Sequence, residues 1–240
     1  MLTATGLVGK YNASNYTIDT AYLISTDGYL ENMAFKAVAF DLDGTLVTEK
    51  SSWWTLHRFF GTYEQSVQNM KSYEQGKITY DKFMKLDIDL WKPRPHLNTI
   101  KEILLNYTLT PNSRLVTKLL KEKGYSLLIV TTAPDILANA VAEELNISYV
   151  ASNGFIFDND GYLTQNIAFN VDLMRKEVAF KKLLSKICVR CEECVAVGDS
   201  KYDKGFLDTA GLGIAFNPDS TLRKEARTII QDMKEILDLV

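Results

Sequence analysis

Short apolar runs alternate with segments of helical period along most of this chain. Residues 35–40 form an apolar run broken only by Lys36, which predicts a strand buried in a parallel sheet. Segments with apolar residues at spacings of three and four follow, as at Leu137, Val141 and Leu145. Further apolar runs of strand length occupy residues 126–130, 149–151, 194–197 and 212–216. This alternation predicts an α/β fold, in which helices flank a parallel sheet.

One long segment, residues 50–112, interrupts the alternation after the first strand and has a helical, aromatic pattern. Ser51 or Ser52 is suited to cap a first helix, because a serine hydroxyl accepts a hydrogen bond from a free amide at a helix start. Gly76 is suited to end a second helix, and Thr79 to cap a third. We therefore expect a small helical insertion above the end of the sheet where ligands bind.

This insertion divides the rest of the chain into a core made of residues 34–49 and 113–240. Residues 1–33 are rich in Asn, Thr, Tyr and Gly and have no sustained helical period, so they are predicted to be an N-terminal extension of unknown role. Because Met33 immediately precedes the first core strand, an alternative start of the protein at Met33 is a further hypothesis.

The last hundred residues contain a predicted hairpin and predicted terminal helices. Residues 155–157 and 162–163 are expected to pair through a turn at Gly161, because an Asp-Gly pair accepts the backbone angles of a tight turn. Residues 219–227 and 231–240 are expected to be helical.

Composition narrows the range of functions. A net charge of -3 provides no basic surface for nucleic acid. The sequence has no run of about 18 apolar residues and no charged start followed by a hydrophobic stretch, so we expect neither a membrane span nor a signal peptide, and a cytoplasmic protein. Cys188, Cys191 and Cys194 lie at spacings of three, but the two histidines of the chain are far from them, which disfavours a closed zinc site.

Acidic side chains follow the first strand directly. Asp41 and Asp43 lie two residues apart and are followed by Gly44, an arrangement in which two like charges would repel unless a cation joined them. In α/β folds ligands bind beyond the carboxyl ends of the strands. Asp199 and Asp203 come after the strand at residues 194–197 in the same way. The sequence therefore predicts a cation and anion site at this edge of the sheet.

Two further positions fit such a site. Thr131 follows the strand at residues 126–130, and Pro134 suits the first position of the next helix, so amides at a helix start would be available to an anion. Lys176 lies on the apolar stripe of a predicted helix that includes Leu173 and Phe180. A lysine at such a position either extends to water or meets a buried acid or anion.

Together these positions resemble the four motifs of the haloacid dehalogenase superfamily. The sequence Asp-Leu-Asp-Gly-Thr-Leu from Asp41 looks like the first motif, and Thr131, Lys176 and the Gly-Asp-x-x-x-Asp sequence from Gly198 look like the others. The arrangement from residue 34 to 236 is most similar to the phosphoserine-phosphatase-like branch, in which a helical cap follows the first motif. The resemblance implies a Rossmann-like core, with residues 50–112 as the cap.

The resemblance also implies a mechanism and a metal. In this family Asp41 would be the nucleophile that forms an aspartyl-phosphate, and Asp43 would be the general acid and base. Mg²⁺ would be bound by Asp41, by the carbonyl of Asp43 and by Asp199. Asp203 would not contact the ion but would position Asp199 or Lys176. The same family pattern implies that Thr131, Thr132, Lys176 and Gly44 bind the phosphate.

The chain departs from the branch at several positions. Ser200, Lys201 and Tyr202 stand where small residues and Asn are expected in the fourth motif. By an approximate alignment, Lys50 stands where serine-specific members carry a Glu, and Asp87 where they carry an Arg. The reversal is consistent with an amino-acid pocket of inverted polarity, with a substrate other than phosphoserine, or with a surface pair between Lys50 and Asp87.

The function expected from the resemblance is Mg²⁺-dependent hydrolysis of a small phosphate ester, for which phosphoserine is one candidate. A phosphotransferase or phosphomutase would keep every motif, and a phosphate-binding module without catalysis is a further alternative. A response-regulator receiver also phosphorylates an Asp at a strand end, but it lacks a helical insertion and the Asp41/Asp43 pair. The sequence gives no indication of the oligomeric state.

Overall fold

A seven-stranded sheet organises the structure. The computed structural model describes residues 35–240, so the predictions for residues 1–33 lie outside the described part. The strands are β1 (Ala37–Phe40), β2 (Ser126–Pro134), β3 (Tyr149–Phe157), β4 (Leu163–Ala168), β5 (Cys194–Gly198), β6 (Leu212–Phe216) and β7 (Thr228–Ile230). Their order across the sheet is β4-β3-β2-β1-β5-β6-β7, and each neighbouring pair is parallel except β3 with β4. The predicted α/β fold with a mostly parallel sheet is confirmed.

Helices cover both faces of the sheet and fill the insertion. They are α1 (Ser52–Phe59), α2 (Tyr63–Glu74), α3 (Tyr80–Leu90), α4 (Leu97–Leu104), α5 (Ser113–Glu122), α6 (Asp135–Glu144), α7 (Lys176–Lys186), α8 (Lys204–Thr209), α9 (Leu222–Glu225) and α10 (Ile236–Leu239). The first four lie between β1 and α5, so the helical insertion after the first strand, the cap, is confirmed.

The central strand β1 separates two apolar clusters. Its four residues are completely buried, as expected for the middle of a sheet covered on both faces. Because successive side chains of a strand point to opposite faces, Val38 and Phe40 pack in the cluster that includes Leu120 of α5. Ala37 and Ala39 pack in the other cluster, beside Phe180 of α7. The core therefore fixes β1 from both sides.

The register of the strands aligns their carboxyl ends. Phe40 of β1 lies opposite Ile129 of β2 on one side and opposite Val197 of β5 on the other. The amide of Asp41 continues the pairing by donating to the Val197 carbonyl at 2.8 Å. The residues that follow β1 and β5, together with Thr131 two positions beyond Ile129, therefore meet at one edge of the sheet.

The chain passes from the core to the cap at residues 46–48 and returns at residues 108–110, and these two segments are hydrogen-bonded to each other. The Thr48 amide donates to the Thr108 carbonyl at 2.9 Å, and the Thr110 amide donates to the Leu46 carbonyl at 2.9 Å. Val47 and Leu109 form the antiparallel bridge between these bonds. The crossings thus form a short two-stranded ribbon at the base of the cap.

The predicted helix signals in the cap are found where the sequence placed them. The Ser51 side chain accepts a hydrogen bond from the amide of Trp54 at the start of α1. Thr79 caps α3 in the same way, by accepting from the Lys82 amide. Gly76 follows α2 with a φ of 68°, which a glycine adopts at little cost.

Several predicted boundaries differ from the structure. Residues 149–151 and 155–157 belong to one strand, β3, which pairs with β4 as the hairpin that the Asp-Gly turn predicted. β2 extends to Pro134, so α6 begins one residue later than expected. α7 begins at Lys176, which leaves Leu173 outside the helix.

The C-terminal segment contains less helix than predicted. α9 and α10 have four residues each, where residues 219–227 and 231–240 were expected to be helical. Between them β7 adds an edge strand, because Ile214 and Phe216 of β6 offer pairing partners that a local pattern does not reveal. In residues 35–240 we find no helix long and apolar enough to cross a membrane. The three cysteines are free thiols, with Cys194 buried and Cys188 exposed.

Candidate active site

Carboxylates from the ends of two strands form one buried cluster. Oxygen atoms of Asp41, Asp199 and Asp203 lie within 4.8 Å of one another, and all three residues are buried. The register of β1 with β5 accounts for this, because it brings residues that are far apart in the sequence to the same level of the sheet. The predicted meeting of the two acidic strand ends is therefore found in the structure.

Lys176 lies between two of these acids. Its Nζ is 2.7 Å from Asp41 Oδ1 and 2.6 Å from Asp203 Oδ1, and its side chain is 3% exposed. Of the two alternatives that the sequence left open for this lysine, the structure shows the buried pairing with acids. Burial opposes the charge of the ammonium, but Asp203 and Asp41 hold the pKa of Lys176 above its ordinary value.

Asp203 uses both carboxylate oxygens to hold its surroundings. While Oδ1 accepts from Lys176, Oδ2 accepts hydrogen bonds from the amides of Asp199 and Ser200 and from the Ser200 hydroxyl. These bonds fix the loop that follows β5. Because its oxygens are occupied by protein donors, Asp203 is suited to position Asp199 and Lys176.

Asp43 has a different environment from Asp41. Its Oδ2 accepts from the Ser52 amide at 2.8 Å and from the Ser52 hydroxyl at 2.7 Å, while its Oδ1 is buried and has no hydrogen-bond partner within residues 35–240. Burial raises the pKa of Asp43 to about 6, although the bonds from Ser52 oppose the rise. Two carboxylates at the end of one strand thus differ in their partners, as acid and base pairs in enzymes do.

Gly44 permits the close approach of two loops. With a φ of 78° it occupies a region that favours glycine, and a Cβ atom there would lie 2.2 Å from Asp199 Oδ2. Lys50 approaches the same carboxylate, with its Nζ 2.6 Å from Asp199 Oδ2 and its Cδ 2.9 Å from the position of a Gly44 Cβ. A side chain at position 44 would collide with Asp199, so this position requires glycine. Lys50 contacts the same acid and therefore belongs to the candidate site.

The two threonines after the middle of β2 differ in their contacts. Thr131 is buried, and its hydroxyl accepts a hydrogen bond from the Ala133 amide at 3.0 Å. The carbonyl of Thr132 accepts from Trp53 Nε1 at 3.0 Å. Thr131 thus belongs to the core side of the site, whereas Thr132 contacts the cap.

Asp87 lies inside the cap and does not pair with Lys50. It is 2% exposed, its Oδ1 accepts from Asn69 Nδ2 at 2.7 Å, and its Oδ2 is 3.1 Å from Nε2 of the fully buried His57. Trp91 Nε1 donates to the other nitrogen of His57. The hypothesis of a surface pair between Lys50 and Asp87 is therefore wrong, because each charge has a nearer partner of its own.

Several residues at the site were not predicted to belong there. Ser52 was considered only as a helix cap, yet it binds Asp43. Trp53 is not among the predicted site residues, yet its Nε1 donates to the carbonyl of Thr132. An aromatic residue in a helical segment indicates packing, so the sequence carries no sign of this contact. Glu74 of α2 accepts hydrogen bonds from Lys201 and Tyr202 in the loop after β5, and the sequence gives no indication of this contact.

The charges of the site favour a cation. Burial raises the pKa of Asp41, and Asp203 and Asp199 add to the rise while Lys176 opposes it. Burial and Asp203 raise the pKa of Asp199 to about 6, although Lys50 opposes the rise. The clustered buried carboxylates of Asp41, Asp199 and Asp203 are the hard donor set that Mg²⁺ prefers. The residues present therefore fit a magnesium ion.

Comparisons with known proteins agree with this geometry. A family model described as haloacid dehalogenase-like hydrolase matches residues 35–211. A phosphoserine phosphatase of Methanocaldococcus jannaschii is 30% identical over 211 residues, which cover 85% of this chain and 97% of that protein. A phosphoserine phosphatase of Archaeoglobus fulgidus is 28% identical over 196 residues, which cover 81% of this chain and 56% of that protein.

Solved structures give the same relation. A phospho-aspartyl intermediate analogue of phosphoserine phosphatase superposes with a TM-score of 0.71 at 28% identity, covering 86% of this chain and 99% of that chain. A substrate-bound phosphoserine phosphatase complex superposes with a TM-score of 0.71 at 27% identity, covering 86% and 98%. This chain therefore belongs to the haloacid dehalogenase-like hydrolases, as a phosphatase of their phosphoserine phosphatase branch.

Proposed function

We propose that this phosphatase hydrolyses small phosphate monoesters through a covalent intermediate on Asp41. Phosphate monoesters are among the slowest substrates to react in water, so a two-step route through an enzyme carboxylate lowers the barrier of each step. The observation that carries the proposal is the pair of carboxylates at the end of β1. Asp41 is held by a lysine, and Asp43 is held by a serine with one oxygen left unpartnered.

The first step transfers the phosphoryl group to the enzyme. A carboxylate oxygen of Asp41 forms a bond to phosphorus while the bond from phosphorus to the ester oxygen breaks. Asp43 donates its proton to that leaving oxygen, so the alcohol departs neutral. A pKa raised to about 6 supports this role, because a general acid works best when its pKa lies near the operating pH.

The second step returns the enzyme to its first state. Asp43, now ionised, accepts a proton from water, and the water oxygen attacks phosphorus. The bond between phosphorus and Asp41 breaks, the carboxylate is restored, and inorganic phosphate leaves. Asp43 thus serves first as an acid and then as a base, and the net reaction consumes one water per ester.

We assign the phosphoryl oxygens to Lys176 and Thr131, with Thr132 and Gly44 beside them. Lys176 supplies a fixed positive charge next to Asp41, which would stabilise the charge on the oxygens of the transition state. The support for Thr131 is its position, two residues past the level of Phe40. These roles follow from the placement of the side chains beside the proposed nucleophile.

We assign a magnesium ion to Asp41, Asp199 and the carbonyl of Asp43, with Asp203 holding the loop behind them. The ion would neutralise charge and allow a dianionic substrate to approach a carboxylate. The buried cluster of Asp41, Asp199 and Asp203 supports this assignment.

We further propose that residues 50–112 act as the cap domain and that residues 34–49 and 113–240 act as the core domain. The ribbon at Leu46 and Thr110 supports a boundary close to these limits. Contacts of Ser52 with Asp43 and of Trp53 with Thr132 support a role of the first cap helix at the proposed site. The cap would therefore exclude water and help to select the leaving group.

Phosphoserine is the first substrate to test, because the named relatives are phosphoserine phosphatases. The assay measures inorganic phosphate released from phosphoserine, a sugar phosphate, phosphoglycolate and a nucleoside monophosphate, with Mg²⁺ and with EDTA. We expect release with Mg²⁺, its loss with EDTA, and its loss in Asp41→Asn with folding intact. Transfer of phosphate to an added alcohol in place of water would favour a phosphotransferase, and no release from any ester would favour a binding module.

A further inference from the structure

A short segment links β4 to α7 and ends at Lys176, the buried lysine of the candidate site. The first part of this segment is fastened to the core. Asn153 of β3 accepts a hydrogen bond from the Val171 amide at 2.9 Å and donates to the Val171 carbonyl at 2.8 Å. The residues that follow Val171 contact the cap instead. The approach of the chain to Lys176 therefore depends on the cap as well as on the core.

Asp172 is bound by a tyrosine of the cap. The hydroxyl of Tyr73, near the end of α2, donates to Asp172 Oδ1 at 2.7 Å, and the Met174 amide donates to the same oxygen at 2.9 Å. The Arg175 amide donates to the Asp172 carbonyl at 3.2 Å and closes a turn directly before Lys176. Burial and the neighbouring Asp172 raise the pKa of Tyr73, so its hydroxyl stays protonated and remains a donor. The cap thus holds the turn from which α7 starts.

The next residue, Leu173, is buried among cap side chains. It is 8% exposed and packs in an apolar cluster with Tyr73 of α2 and with Tyr80, Phe83 and Met84 of α3. The ring of Tyr73 stacks on Phe83, with ring centroids 5.6 Å apart. This burial is lost if the cap moves away, so apolar packing and hydrogen bonding both tie the segment before α7 to the closed cap.

The residue after Tyr73 binds a second loop of the site. Glu74 accepts hydrogen bonds from two side chains in the loop that follows Asp199. Adjacent residues of α2 therefore contact the two loops that carry Lys176 and Asp199. A rigid helix that binds both loops is suited to fix their placement, and a misplacement of about 1 Å is enough to slow an enzyme strongly.

We propose that Tyr73 is a positioning residue, which sets the place of Lys176 for the phosphoryl group by binding Asp172. This inference rests on the proposed function, in which Lys176 binds phosphoryl oxygens. The ammonium of Lys176 already meets Asp41 and must reach a phosphate oxygen as well, so it tolerates little displacement of its backbone. Loss of the Tyr73 hydroxyl frees the turn before α7 and thereby weakens phosphate binding.

The test compares the binding of inorganic phosphate with the binding of Mg²⁺. Tyr73→Phe keeps the aromatic ring and removes the hydroxyl. With saturating Mg²⁺, titration calorimetry should give a Kd for inorganic phosphate about fivefold to tenfold higher than in the wild type, since the lost hydrogen bond has a charged acceptor. The Kd for Mg²⁺ alone should stay unchanged, because the loop that carries Asp199 keeps its own contact with Glu74.

Further variants test the route through Asp172. Asp172→Asn keeps an oxygen that accepts from Tyr73 and from the Met174 amide, so its phosphate Kd should lie within about twofold of the wild-type value. Asp172→Ala should weaken phosphate binding as Tyr73→Phe does, and the double variant should be no weaker, because both residues act through one contact. Tyr63→Phe, at the other end of α2, is the matched control. The ring of Tyr63 packs on Trp54, and we find no hydrogen bond of its hydroxyl within residues 35–240.

The outcomes separate this inference from the proposed function. Weaker phosphate binding with unchanged Mg²⁺ binding in Tyr73→Phe supports the inference even if no ester is hydrolysed, in which case only the proposed hydrolysis fails. An unchanged phosphate Kd in Tyr73→Phe would overturn the inference. So would an equal weakening of phosphate and Mg²⁺ binding, which would show that the hydroxyl holds the cap as a whole. A wild-type protein that binds no phosphate would contradict both the inference and the proposed function.

Discussion

The hydroxyl of Tyr202 donates a hydrogen bond to Oε1 of Glu74 at 2.6 Å and thereby joins the loop after β5 to the end of α2 in the cap. Lys201 Nζ lies 2.7 Å from the same oxygen. Hydrogen bonds from Lys201 and Tyr202 hold the pKa of Glu74 below its ordinary value. Two of the three residues that depart from the family motif, Lys201 and Tyr202, therefore fasten the cap to the loop that carries Asp199.

Weakening this contact should let the cap open more often. In Glu74→Gln the charge-assisted bonds become neutral ones, and we expect the opening equilibrium to rise about fivefold, which corresponds to about 1 kcal/mol. Hydrogen exchange of residues 63–90 should accelerate accordingly. Lys85→Ala breaks a pair with Asp81 that lies within α3 and serves as the control. Unchanged exchange in Glu74→Gln would mean that other contacts hold the cap closed.

Removing Lys176 should damage both stability and activity. Lys176→Met leaves the buried carboxylates of Asp41 and Asp203 facing each other without their cation, and breaking a buried pair in this way costs about 3–5 kcal/mol. Urea unfolding at pH 7.5 without metal measures the loss of stability, and phosphate release measures the loss of turnover. Lys182→Met, an exposed lysine of the same helix, should change neither. A Lys176→Met protein with normal stability would contradict the buried pairing.

Replacing Gly44 should impair metal binding more than its backbone strain explains. Gly44→Ala places a Cβ 2.2 Å from Asp199 Oδ2, so the carboxylate must move. Gly76→Ala is the matched control, because its φ of 68° carries similar strain, about 1–2 kcal/mol, but no atom lies within 4 Å of the added carbon. We expect Mg²⁺ to raise the Tm of Gly76→Ala as in the wild type, and to raise that of Gly44→Ala much less. An equal increase of Tm with Mg²⁺ in both variants would show that Gly44 is not needed for metal binding.

The stability of the metal-free protein should depend on pH through Asp43 and Asp199. Burial raises the pKa of each from 3.8 to about 6, so their ionised forms are disfavoured in the folded state. This penalty is fully present above about pH 6 and is relieved as the pH falls from 6 towards 4, where the folded state binds more protons than the unfolded state. The free energy of unfolding in EDTA should therefore rise between pH 7 and pH 5.

The same experiment includes its controls. Asp43→Asn removes one of the two groups and should reduce the rise, and saturating Mg²⁺ should offset it, because the ion favours the ionised carboxylates. A stability that falls steadily from pH 7 to pH 5 in EDTA, in the wild type, would show that these burial effects do not govern the fold.

Local sequence pattern predicted the elements that carry the chemistry. The apolar runs before Asp41 and Asp199 could be recognised as strands because a doubly covered sheet requires uninterrupted apolar residues, and β6 was predicted with the bounds that it has. Lys176 could be recognised because a charge on an apolar stripe needs a partner. In each of these cases the residues that predict the feature are close together in the sequence.

The partners across the fold could not be predicted in this way. Lys50 meets Asp199, 149 residues away, and Glu74 meets Tyr202, 128 residues away, and neither pairing leaves a trace in the local pattern. Asp87 stands where serine-specific members of the branch carry an arginine, but its partner here is the buried His57 inside the cap. Strand β7 was missed because an edge strand of three residues depends on its neighbour.

The ribbon at Val47 and Leu109 has a mechanical consequence. Because the outgoing and returning chains are tied to each other, a twist in one is transmitted to the other, and the helices above them turn together about one axis. We expect any such turn to move Ser52 and Trp53 away from Asp43 and Thr132 together, because both contacts come from the first cap helix. Asp43, the proposed proton donor, would then lose its hydrogen bonds from Ser52 whenever the cap opens, so that the site would be complete only in the closed state.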